Sequence, residues 1–220
     1  MSETEVTQEL FQCVMGYNPS NYSGYPAEGE IQKKRPVENL TFKETIVFCN
    51  RLSIMLGKEY VYKNSMIDDW LSFPNDLIIN LEIDSFIESF TADGFRIPSE
   101  FEWQWAAIGA DVGGYNSNGY LKIFSGGQVD SLIGRDEYIW YSGNSSSITH
   151  EVGKKQSNEV GIYDMTGNVW EYVSTGYLMG WSAFDYPNPS GSAWVYYQGN
   201  LDTVPQNEHA PCGIRLVSNK

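Results

Sequence analysis

The side chains that most often carry chemistry are few in this chain of 220 residues. The three cysteines, Cys13, Cys49 and Cys212, are an odd number at wide spacing, which fits neither a disulfide framework nor a CxxC metal or redox site. The two histidines, His150 and His209, are too few for a three-histidine metal centre. Spacing alone therefore indicates neither thiol nor imidazole chemistry.

A second candidate for chemistry is an acid–base cluster made of Asp185, Asp202, Glu208 and His209. Such groups can exchange protons with a substrate when they converge. Nothing in their spacing forces these four residues together, and single polar residues on loops are usually solvated. We therefore interpret them as exposed, and we expect the same of His150, which lies in a serine-rich loop. The sequence identifies no catalytic residue.

Three helices are predicted to support whatever site the chain carries. The first begins at the N-cap residue Thr7 and ends at Gly16. The second begins at Thr41 and ends near Gly57, and the third begins at Ser99. A glutamate stands three residues after each of the last two N-cap residues, which is the spacing of a capping box.

The rest of the chain has weaker structural signals. LIINLEIDSFIESF, residues 77–90, fits either a strand or a helix, and after the third helix short apolar pieces alternate with turns, which predicts irregular β structure. Cys49 lies among apolar residues of the second helix and is predicted to be buried. Arg96 and Arg215 lie in apolar motifs and are predicted to form structural ion pairs. No repeat or linker divides the chain, so we expect one domain over 1–220.

The charge pattern limits the partners that the protein can have. Fourteen basic and 28 acidic residues give a net charge of −14, and no Lys or Arg occurs between Lys155 and Arg215. Nucleic acid is not an expected partner, because its binding needs basic side chains that displace counterions. No window approaches the roughly 20 apolar residues of a membrane span, so no transmembrane segment is expected in this chain.

Several blocks of the sequence together resemble one family. EVTQELFQCVMGYNPSNY, PVENLTFKETIVFCNRLS and GFRIPSEFEWQWAA are followed by WYSGNSSSITHEVGKKQSNEVGIYDMTGNVWEYV and the terminal CGIRLV. In this order, and over most of the chain, the blocks are similar to the signature blocks of the formylglycine-generating enzyme, or sulfatase-modifying factor, family. The resemblance implies an α+β domain with a C-type-lectin-like fold. In that fold, two or three helices surround a twisted antiparallel core with much irregular structure.

The resemblance also indicates where the family's enzymes do their chemistry. They bind copper through a closely spaced cysteine pair that precedes the closing block, since soft thiolates select that metal. Here the segment from Met179 onward has no cysteine before Cys212, which we interpret as a small buried residue. The segment also lacks the several histidines of the iron-dependent sulfoxide-forming relatives. The resemblance thus implies a scaffold without either chemistry, and no copper is expected.

The segment that replaces the reactive cysteines is aromatic. WSAFDYPNPSGSAWVYYQG, residues 181–199, has six aromatic side chains and a single charge, and its mixture of Tyr, Trp, Ser, Gly and Asn is typical of binding loops. It resembles the diversified segment of the variable proteins of diversity-generating retroelements, above all the treponemal kind, where adenine-directed mutation varies the exposed side chains. We predict a variable ligand-binding region over 181–209. Its predicted contact residues are Trp181, Ala183, Phe184, Asp185, Tyr186, Trp194, Val195, Tyr196, Tyr197, Asp202, Thr203 and His209.

The alternative for the aromatic segment is core packing, because aromatic side chains are usually buried. Trp170, Trp181 and Trp194 are predicted to pack in this way. The adjacent Tyr196 and Tyr197 cannot both point inward from one strand, because successive side chains face opposite sides. At least one of these tyrosines is therefore predicted to be exposed.

A cation site is implied by the resemblance at YDMTGNVWEY. The family holds a calcium ion there, through side chains at the positions of Asp164 and Glu171 and backbone carbonyls at Gly167 and Val169; hard oxygen ligands suit that ion. We therefore predict a structural calcium. The alternative is that the two carboxylates only brace the turn while Trp170 packs in the core.

The leading hypothesis is a non-catalytic protein that presents a diversified aromatic and polar surface to a protein or a surface glycan. Two alternatives stay open, namely an oxidoreductase of the sulfatase-modifying family with altered chemistry and a scaffold protein that meets a fixed partner. The family usually has a strand before EVTQ, so we expect the natural N-terminal segment to be missing here. If that segment carries an export or lipid-anchor signal, the protein is expected at the cell surface or secreted.

Overall fold

Short elements and long irregular connections make up the fold. The computed structural model describes residues 1–110, 122–128, 131–186 and 211–219. The helices, α1 to α4, are Gln8–Met15, Phe42–Met55, Glu100–Ala107 and Arg135–Tyr138, and there are 3-10 helices at Gln32–Lys34, Asn75–Asn80 and Ile83–Ser85. The strands, β1 to β7, are Tyr62–Lys63, Ile87–Glu88, Phe95–Arg96, Trp170–Tyr172, Leu178–Met179, Cys212–Gly213 and Val217–Ser218.

The first three helices begin where their capping residues predict. The Thr7 side chain caps α1, and Gly16 ends that helix with a left-handed φ of 82°. Complete capping boxes open α2 at Thr41 and α3 at Ser99. The segment that fits either a strand or a helix contains both kinds of structure, since two 3-10 helices lead into β2. Side-chain capping bonds thus fix the starts of the first three helices. Apolar periodicity, in contrast, did not decide between strand and helix for residues 77–90.

Three small sheets join distant parts of the described chain. β1 pairs with β2 and β3 pairs with β7, both antiparallel. β4 is the centre of the third sheet, antiparallel to β5 and parallel to β6, with Trp170 opposite Cys212. The sheet around β4 therefore holds both sides of the predicted ligand region, since β5 precedes that region and β6 follows it.

The main apolar core lies between the first two helices and the β4 sheet. Phe11 of α1 stacks on Phe48 of α2 with ring centroids 5.1 Å apart. Cys49 is fully buried, which confirms its predicted packing role, and burial raises the pKa of its thiol. A second cluster surrounds Trp103 of α3, which is also fully buried. The strands on either side of the predicted ligand region pack against these cores, since Leu178 and Cys212 belong to the first cluster and Met179 to the second.

Replacing Glu102 by glutamine should weaken α3 in a pH-dependent way. The Glu102 carboxylate accepts hydrogen bonds from the Ser99 N–H at 2.8 Å and from the Arg96 guanidinium at 2.6 and 2.7 Å. The bonds from Arg96 lower the pKa of Glu102 to about 2. Because this pKa is lower than the ordinary 4.5, the ionised Glu102 stabilises the fold at pH values above 4.5. The stabilisation is lost as the pH falls toward 2.

We therefore expect Glu102→Gln to cost roughly 1 kcal/mol at pH 7, a typical value for a lost cap, and less at pH 3. Urea denaturation at the two pH values measures the difference. An equal cost at both would show that the carboxylate charge contributes nothing.

Candidate functional site

The described part of the predicted ligand region is a tight turn from Trp181 to Tyr186. Trp181 has a left-handed φ of 67°, and its ring stacks on Trp170 with centroids 5.8 Å apart. The Asp185 carboxylate accepts hydrogen bonds from the Ser182 N–H at 2.9 Å and the Ser182 hydroxyl at 2.6 Å. These contacts fix the backbone of the turn, which ends in a Tyr186 side chain that is 68% exposed.

Two residues of the turn differ from their predicted roles. Ala183 is completely buried; its N–H donates to the Asn168 carbonyl at 2.9 Å, and its carbonyl accepts from the Ser145 hydroxyl at 2.6 Å. In this structure Ala183 is therefore a packing residue and not a ligand contact. Asp185 is half-buried instead of solvated because its carboxylate holds the turn, and burial raises the pKa of that carboxyl group.

Phe184 lies beside a part of the chain that the sequence did not mark as part of the site. Its ring centroid is 5.1 Å from that of Tyr22, and both side chains are half-buried. Tyr22 belongs to YNPSNYSGYP, residues 17–26, which has the same mixture of Tyr, Ser, Gly, Pro and Asn as the ligand region. That shared composition is the signal that could have identified the loop.

The remaining predicted ligand contacts lie outside the described residues and stay predictions. They are Trp194, Val195, Tyr196, Tyr197, Asp202, Thr203 and His209.

His150 is buried, so the prediction that it is exposed is wrong. Its ring stacks on Trp140 at 3.7 Å between centroids. Its Nδ1 lies 2.8 Å from a Glu30 carboxylate oxygen, and its Nε2 lies 2.9 Å from the Ser145 carbonyl, where it must donate because a carbonyl only accepts. Glu30 is 120 positions away in sequence, which is why the serine-rich neighbourhood of His150 gave no sign of burial.

Both arginines that were predicted to form structural ion pairs do so. Arg96 bonds to Glu102, as described for α3. Arg215 donates to Glu171 at 2.8 Å, and the two side chains are 0% and 1% exposed. Trp103 Nε1 adds a hydrogen bond to the same Glu171 carboxylate at 2.6 Å. The Glu171 carboxylate is thus fully engaged beneath the β4 sheet.

Of the predicted calcium ligands, Glu171 is therefore already bonded to Arg215 and Trp103. The other proposed carboxylate, Asp164, has a left-handed φ of 55° and accepts a hydrogen bond from the Gly153 N–H at 2.7 Å. Burial raises the pKa of Asp164 to about 6. Across the described ranges, no three His, Cys, Asp or Glu side chains are grouped to hold a metal. The calcium site at Asp164, Gly167, Val169 and Glu171 stays a prediction.

Cys212 is the small buried residue that the sequence predicts. It lies in β6 and is 4% exposed. Burial raises the pKa of its thiol to about 12, so it is protonated at neutral pH and is a poor nucleophile or soft-metal ligand.

In the part of the chain that the structure describes, no helix is long and apolar enough to span a bilayer.

The arrangement of helices and small sheets is the C-type-lectin-like fold of the formylglycine-generating enzymes. The family model of the sulfatase-modifying factor enzyme 1-like domain matches residues 1–219, and the chain belongs to that family. Among solved structures, Treponema denticola variable protein 1 is similar with a TM-score of 0.82 and 33% identity, over 98% of this chain and 82% of that one. CarF has the same fold, with a TM-score of 0.65 and 24% identity over 98% of this chain and 84% of its own.

Two curated proteins are also similar. The chaperone protein LppX of Paenibacillus barcinonensis is 30% identical over 213 residues, which are 89% of this chain and 66% of LppX. The formylglycine-generating enzyme of Mycobacterium tuberculosis is 33% identical over 82 residues, which are 37% of this chain and 27% of the enzyme. The chain thus spans less than two thirds of the length of either protein.

Proposed function

We propose that this chain is a non-catalytic ligand-binding protein whose region 181–209 is diversified as in a retroelement variable protein. The observation that best supports this is the similarity to Treponema denticola variable protein 1 over nearly the whole chain. The braced turn that ends in exposed Tyr186 is consistent with it, because a fixed backbone lets side chains vary without refolding. On this proposal the ligand is a protein or a surface glycan, met at the cell surface or outside the cell.

Comparison of the gene in sister isolates tests the proposal. Diversification by adenine-directed mutation predicts amino-acid changes concentrated in 181–209, together with a near-identical template beside a reverse transcriptase gene. The rest of the chain is the internal control. Ordinary synonymous drift in 181–209, at the rate of the flanking sequence, would rule diversification out.

The proposal that the chain is not an enzyme has a separate test. The segment from Met179 to Cys212 lacks the cysteine pair, and Cys212 is held protonated by burial. Incubation with a cysteine-containing sulfatase peptide, copper and oxygen should therefore yield no formylglycine in mass spectrometry. An active formylglycine-generating enzyme is the positive control. Any formylglycine formed by this chain would overturn the non-catalytic assignment.

A fixed protein partner is the second candidate function. The similarity to the chaperone LppX over 89% of this chain favours it, because a chaperone acts by contacting another protein. The comparison of isolates separates the two candidates. A fixed partner requires an unchanged 181–209 segment, whereas a diversified ligand surface requires a changing one.

A further inference from the structure

A second aromatic loop, residues 21–30, overlaps the segment 17–26 and lies beside the candidate site. Tyr22 contacts Phe184 at 5.1 Å between ring centroids. Tyr25 is three residues further along and is 96% exposed. Three residues span at most about 10 Å, so the Cα of Tyr25 lies no further than that from the Cα of Tyr22, and one peptide-sized ligand is long enough to contact both residues.

The backbone of this loop is held by the body of the protein. The Tyr22 N–H donates to the Glu38 carboxylate at 2.8 Å. The Tyr22 carbonyl accepts from the side-chain amides of Gln8 at 3.1 Å and Gln32 at 2.7 Å. Tyr22 is thus fixed by three hydrogen bonds, and a rigid contact residue loses little entropy when a ligand binds.

A chain of buried contacts joins the loop to the turn of the ligand region. Glu30, at the end of the loop, pairs with His150 at 2.8 Å. His150 donates to the carbonyl of Ser145 at 2.9 Å, and the Ser145 hydroxyl donates to the carbonyl of Ala183 at 2.6 Å. The two aromatic segments are therefore held in one arrangement, although more than 100 residues separate them in sequence.

The charge around both segments selects the kind of ligand. No Lys or Arg occurs in residues 1–31 or 156–214, and the whole chain has a net charge of −14. Arg35, whose guanidinium carbon lies 5.9 Å from the Tyr22 ring centroid, is fully buried and so adds no exposed cation. Glu28, in the loop itself, is exposed. Exposed tyrosine rings bind guanidinium and ammonium groups through cation–π contacts, which nearby carboxylates reinforce. Both segments thus suit a cationic ligand with apolar stems and disfavour an acidic one.

We propose that residues 21–30 form a fixed half of the recognition surface, with Tyr22 and Tyr25 beside Phe184 and Tyr186. The surface receives a segment of a protein partner that carries Arg or Lys side chains. This inference rests on the proposed function and adds a constant contact region outside the diversified one.

A phage-displayed library of disulfide-constrained random peptides is the probe for this surface. It is selected on the wild-type chain, and the enriched peptides are then titrated against three variants with exposed substitutions. They are Tyr25→Asn, which suits the left-handed φ of 53° at that position, Tyr186→Ser, and the matched control Tyr177→Ser at another exposed tyrosine. All three should keep the wild-type melting temperature, because the replaced rings lie at the surface.

The enriched peptides should contain Arg or Lys, and each should lose roughly tenfold or more in affinity on both Tyr25→Asn and Tyr186→Ser, as expected of contact residues. Their affinity for Tyr177→Ser should be unchanged. Loss on Tyr186→Ser alone would overturn the inference and leave the proposed function standing. Enrichment of acidic peptides, or of no peptides at all, would also overturn the inference. So would peptides whose affinity is unchanged by both substitutions, and that result would count against the proposed ligand surface as well.

Discussion

Replacing Arg215 by methionine is expected to lower the free energy of unfolding by about 3–5 kcal/mol, the usual cost of breaking a buried ion pair. The guanidinium is fully buried and donates to the equally buried Glu171. Without it, the buried Glu171 carboxylate loses its ion-pair partner. Glu5 and Asp164 lie close enough to interact with Glu171. Burial and the neighbouring carboxylates raise the pKa of Glu5 well above its ordinary value and that of Asp164 to about 6.

Urea denaturation measures the loss, and Arg135→Met is the matched control because the Arg135 side chain is 30% exposed in its ion pair. We expect that control to cost less than about 1 kcal/mol, as exposed pairs do. Adding Glu171→Gln to Arg215→Met should recover part of the stability, since the amide removes the charge and still accepts from Trp103. A cost below about 1 kcal/mol for Arg215→Met would show that the pair does not support the fold.

Replacing Gly167 by alanine is expected to cost about 3 kcal/mol or more, because strain and overpacking act together. Gly167 has a φ of 90°, and an added Cβ would lie 2.2 Å from the Trp140 carbonyl oxygen. Backbone cannot move aside as a flexible side chain can. The turn that leads into β4, and with it the turn at Trp181, would have to shift.

Gly161→Ala is the control that separates strain from clash. Gly161 has a similar φ of 79°, but an added Cβ there meets nothing within 4 Å. We expect it to cost about 1 kcal/mol, the strain alone. Thermal denaturation of both variants measures the difference, and equal costs would mean that the close approach of Trp140 has no energetic effect.

The sequence predicts those features of the fold that depend on neighbouring residues. The capping boxes at Thr41 and Ser99 fix two helix starts because their hydrogen bonds span only three residues. The family resemblance then supplies the order of the elements. The apolar residues that flank Arg96 and Arg215 correctly indicate that both arginines form structural ion pairs.

The features that the sequence misses depend on contacts between distant residues. His150 lies among serines in sequence, yet Glu30 and Trp140 enclose its ring. Ala183 belongs to an aromatic loop, but its backbone bonds to Asn168 and Ser145 bury it. No local sequence pattern encodes these partners, because each lies many residues away and is brought close only by the tertiary fold.

The central claim is that side chains in 181–209 can vary while the fold beneath them stays fixed. A scan of all single substitutions over that region, with surface display of folded protein as the measurement, tests it most directly. We expect Tyr186 to accept most substitutions, as should the predicted contacts outside the described residues other than Trp194, which is predicted to pack. Buried Ala183 should accept only small residues. Intolerance throughout 181–209, equal to that of the core residue Ile97, would contradict the account.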